Sequence, residues 1–286
     1  MTLLIIDSNG LAYRAKHTTG NLSNGVVYGF LRAVLSLGEQ FHTNRFLFCW
    51  DSKQSHRRRK HPWYKLKRRQ RRQEKTPEEQ AADNAAYKQF KELRCSVLPS
   101  MGFANVFMKT GFESDDLMAQ LVNQEWSEHR EDGGIVMITN DEDMFQTLPL
   151  CKIYNPVKKE LYDSHSFTVE REIHPIEWAR VKAIAGCSTD SVPGVPGVGE
   201  SVAIDYLWGR LKPGSKRLTS IESHSELIER NRWLVELPLE GTPSLKIEED
   251  DFDWIKFARI CKRYQMNSFL KMRDRWKQFF KGEFDD

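Results

Sequence analysis

Residues 3–7 read LLIID, residues 45–51 read RFLFCWD and residues 133–143 read GGIVMITNDED. In each stretch a short apolar run is closely followed by an aspartate, which is typical of a buried strand that ends in a polar loop. Segments with the apolar spacing of helices lie between these runs, as at 26–41 and 111–129. Strands that alternate with helices predict an α/β fold with a mostly parallel central sheet flanked by helices.

Acidic residues collect at the predicted carboxyl ends of these strands and at the start of one helix. They are Asp7, Asp51, Asp141 and Asp143 after the strands, and Glu113, Asp115 and Asp116 at the helix start. Because ligands of an open parallel sheet bind at the carboxyl ends of its strands, we expect these side chains to meet at one edge. So many carboxylates would repel one another unless cations neutralised them, and oxygen-only ligands suit Mg²⁺ or Mn²⁺. Taken singly, each acid has an alternative role as a turn former or a helix cap.

The composition is that of an ordinary globular chain. Its 286 residues are 40% hydrophobic and 29% charged, which allows one large domain or two smaller ones. No apolar run is long enough for a membrane helix, and the N-terminus lacks the basic region that begins a signal peptide. The five cysteines form no CxxC pair, so neither a disulfide framework nor a zinc ribbon is indicated. We therefore expect a cytoplasmic protein in a reducing compartment.

Positive charge is concentrated in residues 57–75, RRRKHPWYKLKRRQRRQEK. This segment has a net charge of +10, whereas the rest of the chain carries −7. Such segregation favours a polyanionic partner such as nucleic acid. A nuclear-localisation-like tract or a solvated charged face has the same composition, and both stay open as alternatives.

Within this segment, four basic side chains share one face if the segment is helical, namely Lys65, Arg68, Arg69 and Arg72. Trp63 and Tyr64 precede them, and they either stack on an unpaired base or pack locally. Hard-metal ligands beside so basic a segment suit phosphodiester hydrolysis, because paired ions activate water and cationic side chains hold the phosphate backbone.

Residues 192–203, VPGVPGVGESVA, combine closely spaced glycines with a helix start near Glu200. Glycines allow a tight turn whose N–H groups face outward, and a helix N-terminus adds positive potential for a phosphate. A plain Gly/Pro loop has a similar composition. The alternation of Val192, Val195 and Val198 instead indicates a helix–hairpin–helix that grips the phosphate backbone without reading sequence.

Taken together, these segments resemble the flap endonuclease or 5′-nuclease family, which includes phage 5′-exonucleases and the 5′-nuclease domain of bacterial DNA polymerase I. The similarity covers most of the chain and rests on the ordered segments LLIIDSNG, FCWDS, HPWYKLKR, GFESDDLMA, TNDEDMFQTL and AGCSTDSVPGVPGVGESVA. The resemblance implies a PIN-like α/β catalytic core over residues 1–172, with a basic helical arch at about 52–95. It further implies a helical DNA-binding subdomain over 173–286, whose helix–three-turn–helix region contains a helix–hairpin–helix-like motif at 186–203.

The resemblance also implies the roles of individual residues. The metal-site acids would be Asp7, Asp51, Glu113, Asp115, Asp116 and Asp141 for a first Mg²⁺ or Mn²⁺ ion, and Asp143 and Asp190 for a second. At the base of the arch, Lys65 and Arg68 would engage the scissile phosphate, and Tyr64 would stack on a base. The other DNA contacts would be Arg57, Arg58, Arg69, Arg72, Gly197, Gly199 and Ser201. A potassium ion (K⁺) in the hairpin would be held by the backbone carbonyls of Ile184, Pro193, Val195 and Val198.

Two positions depart from the family pattern. The segment around the second metal is usually GDxxDxxPG, whereas residues 186–194 read GCSTDSVPG, so that Cys187 replaces an aspartate. A thiol is a poor Mg²⁺ ligand, which weakens one metal position or leaves it to Asp143 and Asp190. Ser201 stands where relatives often have lysine, which would soften the grip on a downstream phosphate.

The sequence therefore predicts an enzyme, a metal-dependent and structure-specific 5′-nuclease that cuts DNA near 5′ flaps, 5′ overhangs or single-strand/double-strand junctions. Two alternatives stay open: a DNA-structure-binding protein of the same fold whose catalysis is weakened by Cys187, and a related metal-dependent ribonuclease. We expect a monomer without membrane association, in the cytoplasm, or in a host cytoplasm if a phage encodes it. We also expect a stand-alone nuclease, because the chain contains no polymerase domain.

Overall fold

The computed structural model describes residues 2–19, 23–129 and 134–284 of the chain. The strands of its central sheet are β1 (Leu3–Asp7), β2 (Phe46–Cys49), β3 (Val106–Phe107), β4 (Ile135–Ile138), β5 (Lys152–Asn155) and β6 (Glu160–Tyr162). They lie in the order β3-β2-β1-β4-β5-β6, and all neighbours are parallel except β5 and β6. Because β1 pairs in parallel with β2 and β4, the carboxyl ends of these strands meet at one edge, as the sequence predicts.

Helices make up most of the remaining structure. The α-helices are α1 (Ser8–Thr19), α2 (Gly25–Gln40), α3 (His56–Lys60), α4 (Leu66–Gln73), α5 (Pro77–Glu92), α6 (Leu98–Met101), α7 (Ser114–His129), α8 (Ser164–Arg171), α9 (Trp178–Ala185), α10 (Glu200–Leu207), α11 (Lys216–Ser223), α12 (Ser225–Val235), α13 (Trp254–Arg263), α14 (Asn267–Lys271) and α15 (Arg273–Lys281). A 3₁₀-helix covers Glu142–Thr147, and a small hairpin consists of β7 (Gly186–Cys187) and β8 (Val192–Pro193). Among the described residues, no helix has both the length and the apolar character needed to cross a bilayer.

Most predicted elements are confirmed, but β6, α1 and α8 were not predicted, and one stretch expected to be helical is not. The sequence analysis misses α1, because its buried side consists only of Ser8, Leu11, Ala12 and Ala15, a stripe too narrow to stand out. Residues 236–253 are all described and contain no helix, although a helical pattern was expected to continue to the end of the chain. Two prolines and a glycine in this stretch interrupt helical hydrogen bonding.

Two hydrophobic cores cover the sheet, one on each face, and alternate residues of β1 point into each. One core contains Phe257, Phe269 and Trp276, so that α13, α14 and α15 pack with the α/β layer beside α2 and α6. The boundary predicted near residue 172 stays a prediction, and the last three helices pack against the α/β layer rather than apart from it. Aromatic side chains on one face of the last three helices attach them to the sheet domain. Cys187 and Val192 of the hairpin pack instead in a separate small cluster with Tyr64 and Leu234.

The basic tract folds into α3 and α4, and α5 leads the chain back to the sheet. Thr76 and Glu79 form a capping box at the start of α5, with Pro77 at its first position. Farther along α5, Asp83 accepts a hydrogen bond from Lys75 at 2.7 Å and pairs with Lys16 of α1. These contacts attach the far end of the tract to the core.

Arg57 is an exception within the exposed basic tract, because only 2% of it is accessible to solvent. Its guanidinium makes two parallel hydrogen bonds to the fully buried Asp116, at 2.7 and 2.8 Å. It also donates to the backbone carbonyls of Leu234 at 2.7 Å and Glu236 at 3.2 Å. This one side chain therefore joins α3, α7 and the segment that follows α12.

Replacing Arg57 by leucine should lower the free energy of unfolding by about 3–5 kcal/mol, because the buried Asp116 carboxylate is left without its partner. Urea denaturation followed by circular dichroism measures the effect. The control is Arg59→Leu on the same helix, where the side chain is exposed and the change should stay within about 0.5 kcal/mol. Equal stability of the two variants would contradict the structural role of the pair.

Candidate active site

Four acids from separate elements interact at the carboxyl edge of the sheet. Asp7 ends β1, Asp51 follows β2, Asp141 follows β4, and Asp115 lies in the first turn of α7. Burial, together with repulsion from Asp51 and Asp141, raises the pKa of Asp7 to about 7. Burial and repulsion from Asp141 raise the pKa of Asp115 well above its ordinary value. The structure thus brings these acids together, as their positions at strand ends predict.

Neighbouring groups hold the first two carboxylates in place. Oδ1 of Asp7 accepts a hydrogen bond from the N–H of Gly10 at 2.9 Å. A Cβ on residue 10 would lie 2.4 Å from Oδ2 of Asp7, so only glycine leaves room for this carboxylate. Oδ1 of Asp51 accepts from the N–H and the hydroxyl of Ser114 at 2.9 and 3.0 Å. Both side chains are therefore oriented before any ligand arrives.

The donor atoms of this group fit a hard divalent cation. Asp7, Asp51, Asp115 and Asp141 offer carboxylate oxygens, which are the ligands that Mg²⁺ and Mn²⁺ prefer. Burial and mutual repulsion raise the pKa of Asp7 and of Asp115 despite the attraction of Lys65. A cation bound among them would supply the missing positive charge.

Lys65 and Arg68 lie beside the acids at the start of α4. Nζ of Lys65 is 2.7 Å from Oε2 of Glu113 and 3.5 Å from Oδ2 of Asp190, and Arg68 pairs with Oδ1 of Asp190 at 2.5 Å. Burial alone would raise the pKa of Glu113, but Lys65 and Arg57 lower it to about 2. The N–H of Lys65 also donates to the carbonyl of Asp190 at 2.7 Å. The basic tract is thus docked directly on the acidic cluster.

A hairpin presents a second group of ligands. Strands β7 and β8 pair antiparallel and cross the end of α9 closely, because a Cβ on Gly194 would lie only 2.0 Å from the carbonyl oxygen of Ala185. The turn between the strands places Cys187 and Asp190 beside Asp143, and one ligand atom from each of the three lies within 4.8 Å of the others. The position that departs from the family pattern therefore belongs to this group.

The second group has charged and polar neighbours of its own. Burial and repulsion from Asp141 raise the pKa of Asp143 to about 7, against the attraction of Lys182. Nζ of Lys182 is 3.6 Å from Oδ1 of Asp143. Burial and repulsion from Asp143 raise the pKa of the Cys187 thiol, whose Sγ is 3.1 Å from Oγ1 of Thr189.

The structure contradicts the predicted roles of Asp116 and Arg57. The oxygens of Asp116 accept two hydrogen bonds from Arg57 and one each from the N–H groups of Glu113 at 3.0 Å and Leu239 at 2.9 Å. With its acceptor positions occupied and no exposed surface, Asp116 has no capacity left for a metal ion. The prediction of Asp116 as a metal ligand is therefore wrong. The prediction of Arg57 as a DNA contact is also wrong, because its buried guanidinium is committed to Asp116 and to backbone carbonyls.

Tyr64 is likewise not a stacking residue. Only 4% of it is exposed, so no base can reach its ring. Its hydroxyl lies 3.1 Å from carboxylate oxygens of both Glu113 and Asp190. The alternative of local packing is therefore correct for Tyr64, whose hydroxyl donates hydrogen bonds to the carboxylates of Glu113 and Asp190.

The other predicted DNA contacts are exposed at least in part, namely Arg58, Arg69, Arg72, Gly197, Gly199 and Ser201. The guanidinium of Arg72 lies 4.4 Å from the ring centroid of Tyr87, which directs it along the surface of α5. Gly197 has a φ of 75°, a conformation that favours glycine, and the N-terminus of α10 follows it within the same exposed turn.

Three of the four carbonyls predicted to hold potassium, those of Ile184, Pro193 and Val195, accept hydrogen bonds from protein groups. The carbonyl of Ile184 accepts from the N–H of Val195 at 2.8 Å, and that of Val195 accepts from Val198 at 3.1 Å. The carbonyl of Pro193 accepts from Nδ2 of Asn231 at 2.6 Å. A carbonyl oxygen has two lone pairs, so potassium binding here stays a prediction.

The sequence analysis does not identify Lys182 as a residue of the site, although its position in α9 is unusual for a lysine. Lys182 stands four residues after Trp178 on a helix that is otherwise apolar on its buried side, and only 8% of it is exposed. Its ammonium group bonds Glu200 at 2.8 Å and lies 5.0 Å from the ring centroid of Trp178. A lone lysine on a buried helical face indicates a specific anionic partner.

Comparison with known proteins extends these observations. DNA polymerase I of Mycobacterium tuberculosis is 28% identical over 303 residues, covering 96% of this chain and 31% of the polymerase. The 5′-3′ exonuclease of Halalkalibacterium halodurans is 30% identical over 183 residues, covering 62% of this chain and 55% of the relative. This chain thus spans about a third of the length of the polymerases that it matches.

Among solved structures, the fold is similar to that of the bacteriophage T5 D15 flap endonuclease, determined as a pseudo-enzyme-product complex with DNA and metal ions. The TM-score is 0.72 at 22% identity, and the alignment covers 83% of this chain and 90% of that protein. A family model described as the 5′-3′ exonuclease, N-terminal resolvase-like domain, matches residues 2–172. These residues include every acid of the first group, and the chain accordingly belongs to the 5′-3′ exonuclease family.

Proposed function

We propose that this chain is a metal-dependent, structure-specific 5′-nuclease that hydrolyses phosphodiester bonds of DNA near a free 5′ end or a flap junction. The observation that carries the proposal is the position of Lys65 and Arg68 beside the clustered acids at the edge of the sheet. Carboxylates that bind cations next to fixed positive side chains suit a substrate in which a phosphate group reacts.

The acids and the two basic residues Lys65 and Arg68 have different roles toward such a substrate. The first group would hold a divalent cation of the Mg²⁺ or Mn²⁺ type and the second group another divalent cation, and together they would supply an activated water and positive charge for the leaving oxygen. The carboxyl edge of the sheet fixes the first group of acids, which are Asp7, Asp51, Asp115 and Asp141. The second group contains Asp143 and Asp190. Lys65 and Arg68 are placed to exchange their carboxylate partners for non-bridging phosphate oxygens.

DNA binding is supported by the basic tract and by the hairpin. The T5 flap endonuclease, which has the same fold, was determined in complex with DNA and metal ions. In this chain the exposed turn at Gly197 and Gly199 leads into the N-terminus of α10, where a duplex phosphate would be attracted. We propose that 5′ flaps, 5′ overhangs and single-strand/double-strand junctions are the substrates, that potassium binds in the hairpin, and that the enzyme acts as a monomer.

Replacing Asp141 by alanine should slow single-turnover cleavage of a labelled 5′-flap DNA by about 100-fold or more, because charge stabilisation by a metal ion is worth several kcal/mol. The matched control is Glu142→Gln on the next residue, which pairs with Lys158 and Arg171 outside the site and should cleave normally. If Asp141→Ala cleaves at the rate of the control, the assignment of the acidic edge is wrong.

Replacing Lys65 by alanine should reduce the single-turnover rate by about 100- to 1,000-fold, the usual effect of removing one group that stabilises transition-state charge. Flap affinity should change much less, because many other cations of the tract remain. Lys67→Ala is the control, since this neighbouring lysine is exposed and forms no ion pair within the described residues. Equal rates for the two variants would remove Lys65 from the proposed site.

The two alternative functions, a ribonuclease and a DNA-structure-binding protein, can be distinguished by the substrate that is cleaved and by whether cleavage occurs at all. Flaps of the same shape built from DNA or from RNA should be compared under identical Mg²⁺ or Mn²⁺ concentrations. We expect faster cleavage of the DNA flap, and preferred cleavage of RNA would favour the ribonuclease. Tight flap binding without cleavage in either metal would favour a DNA-structure-binding protein.

A further inference from the structure

The second group of ligands contains a sulfur atom where the first has only oxygen. Sγ of Cys187 and one carboxylate oxygen each of Asp143 and Asp190 lie within 4.8 Å of one another. Cys187 and Asp190 are 9% and 7% exposed, so the donors are screened from bulk water. Their positions are fixed by the β7–β8 hairpin, in which Cys187 pairs with Val192.

The charged groups around these donors determine whether the position can accept a metal cation. Nζ of Lys182 is 3.6 Å from Asp143 but is bonded more closely to Glu200, at 2.8 Å. Arg68 pairs with Asp190 from the side of the basic tract, where its side chain is half exposed. Lys65 also lies 3.5 Å from Oδ2 of Asp190, but it is bonded more closely to Glu113, at 2.7 Å. Because Lys65 and Lys182 are shared with Glu113 and Glu200, a thiolate and two carboxylates here leave an excess of negative charge for a cation.

We propose that Asp143, Cys187 and Asp190 form a mixed thiolate–carboxylate position that selects a thiophilic cation such as Zn²⁺ over Mg²⁺. Thiolate ligands favour zinc and other soft or borderline ions, whereas carboxylate and water ligands suit Mg²⁺ and Mn²⁺. Three protein ligands also match the pattern of catalytic zinc sites, in which a fourth position stays open for water or substrate. On binding, the thiol gives up its proton and sulfur bonds directly to the metal.

The chain then has two cation positions of different chemistry. The oxygen-only acids of the first group keep the preference for Mg²⁺ or Mn²⁺, while the hairpin position prefers zinc. The inference deepens the proposed function, on which its role in catalysis rests. Metal binding itself is measured without DNA, so failure of the mixed position can be told apart from failure of the nuclease.

Cadmium is the probe, because a cadmium–thiolate bond produces an ultraviolet charge-transfer band that oxygen ligands do not. The full chain should carry Cys95→Ser, which removes the exposed thiol, and Cys49, Cys151 and Cys261 stay buried. Cd²⁺ should produce the band at one equivalent, and Zn²⁺ should abolish it while excess Mg²⁺ does not. Absence of the band, or its loss in Mg²⁺, would overturn the proposal.

Adding Cys187→Ser to this background should eliminate the band and reduce Zn²⁺ affinity by at least about tenfold, the lower end of the loss when even a supporting residue of a metal site is removed. Cys187→Asp should also lose the band but should gain Mg²⁺ affinity, which shows that the hairpin is still folded. A band that persists in either variant would assign the sulfur ligand to another cysteine and contradict the proposal.

Discussion

The acidic edge of the sheet depends on one shared positive charge, the ammonium group of Lys65. Burial raises the pKa of the acids Asp7, Asp51, Asp115 and Asp143, and Lys65 acts against that rise at each of them. These acids come from elements that are far apart in the chain. Lys65 is itself fixed at the start of α4, in a left-handed conformation with φ 55° and with its N–H bonded to Asp190. The basic tract and the acids are therefore held together through this one side chain and its backbone.

Protein cations divide the acids into two classes. Those of the first class are each paired, Glu113 with Lys65, Asp116 with Arg57, and Asp190 with Arg68. Those of the second class, Asp7, Asp115 and Asp143, have raised pKa values because burial and mutual repulsion outweigh the available cations. The paired acids connect the tract, the hairpin and α7, and Asp190 does so while also belonging to the second group of ligands. The unneutralised acids destabilise the fold, which is the arrangement expected of residues retained to bind cations.

The sequence predicts the parts of this arrangement that depend on local pattern. Apolar runs ending at Asp7 and Asp51 indicate the parallel strands, and the rule for open sheets places their acids together. Burial, in contrast, depends on what lies across the fold. Arg57 and Tyr64 belong to a tract that is exposed almost throughout, and nothing near them in the chain shows that Leu234 and Glu113 bury them. For the same reason, the docking of α13–α15 on the sheet was missed.

The hairpin links the second cation position to the surface proposed to hold duplex DNA. Its turn carries Cys187 and Asp190 on one side, and its other end continues through Gly197 into α10. Asn231 of α12 is fully buried and donates hydrogen bonds to the carbonyls of Ala183 and Pro193, so that it fastens α9 and the hairpin to α12. A phosphate held at α10 is therefore at a fixed distance from the acids. Such rigidity would let duplex binding at one end set which phosphodiester bond reaches Lys65, without any reading of base sequence.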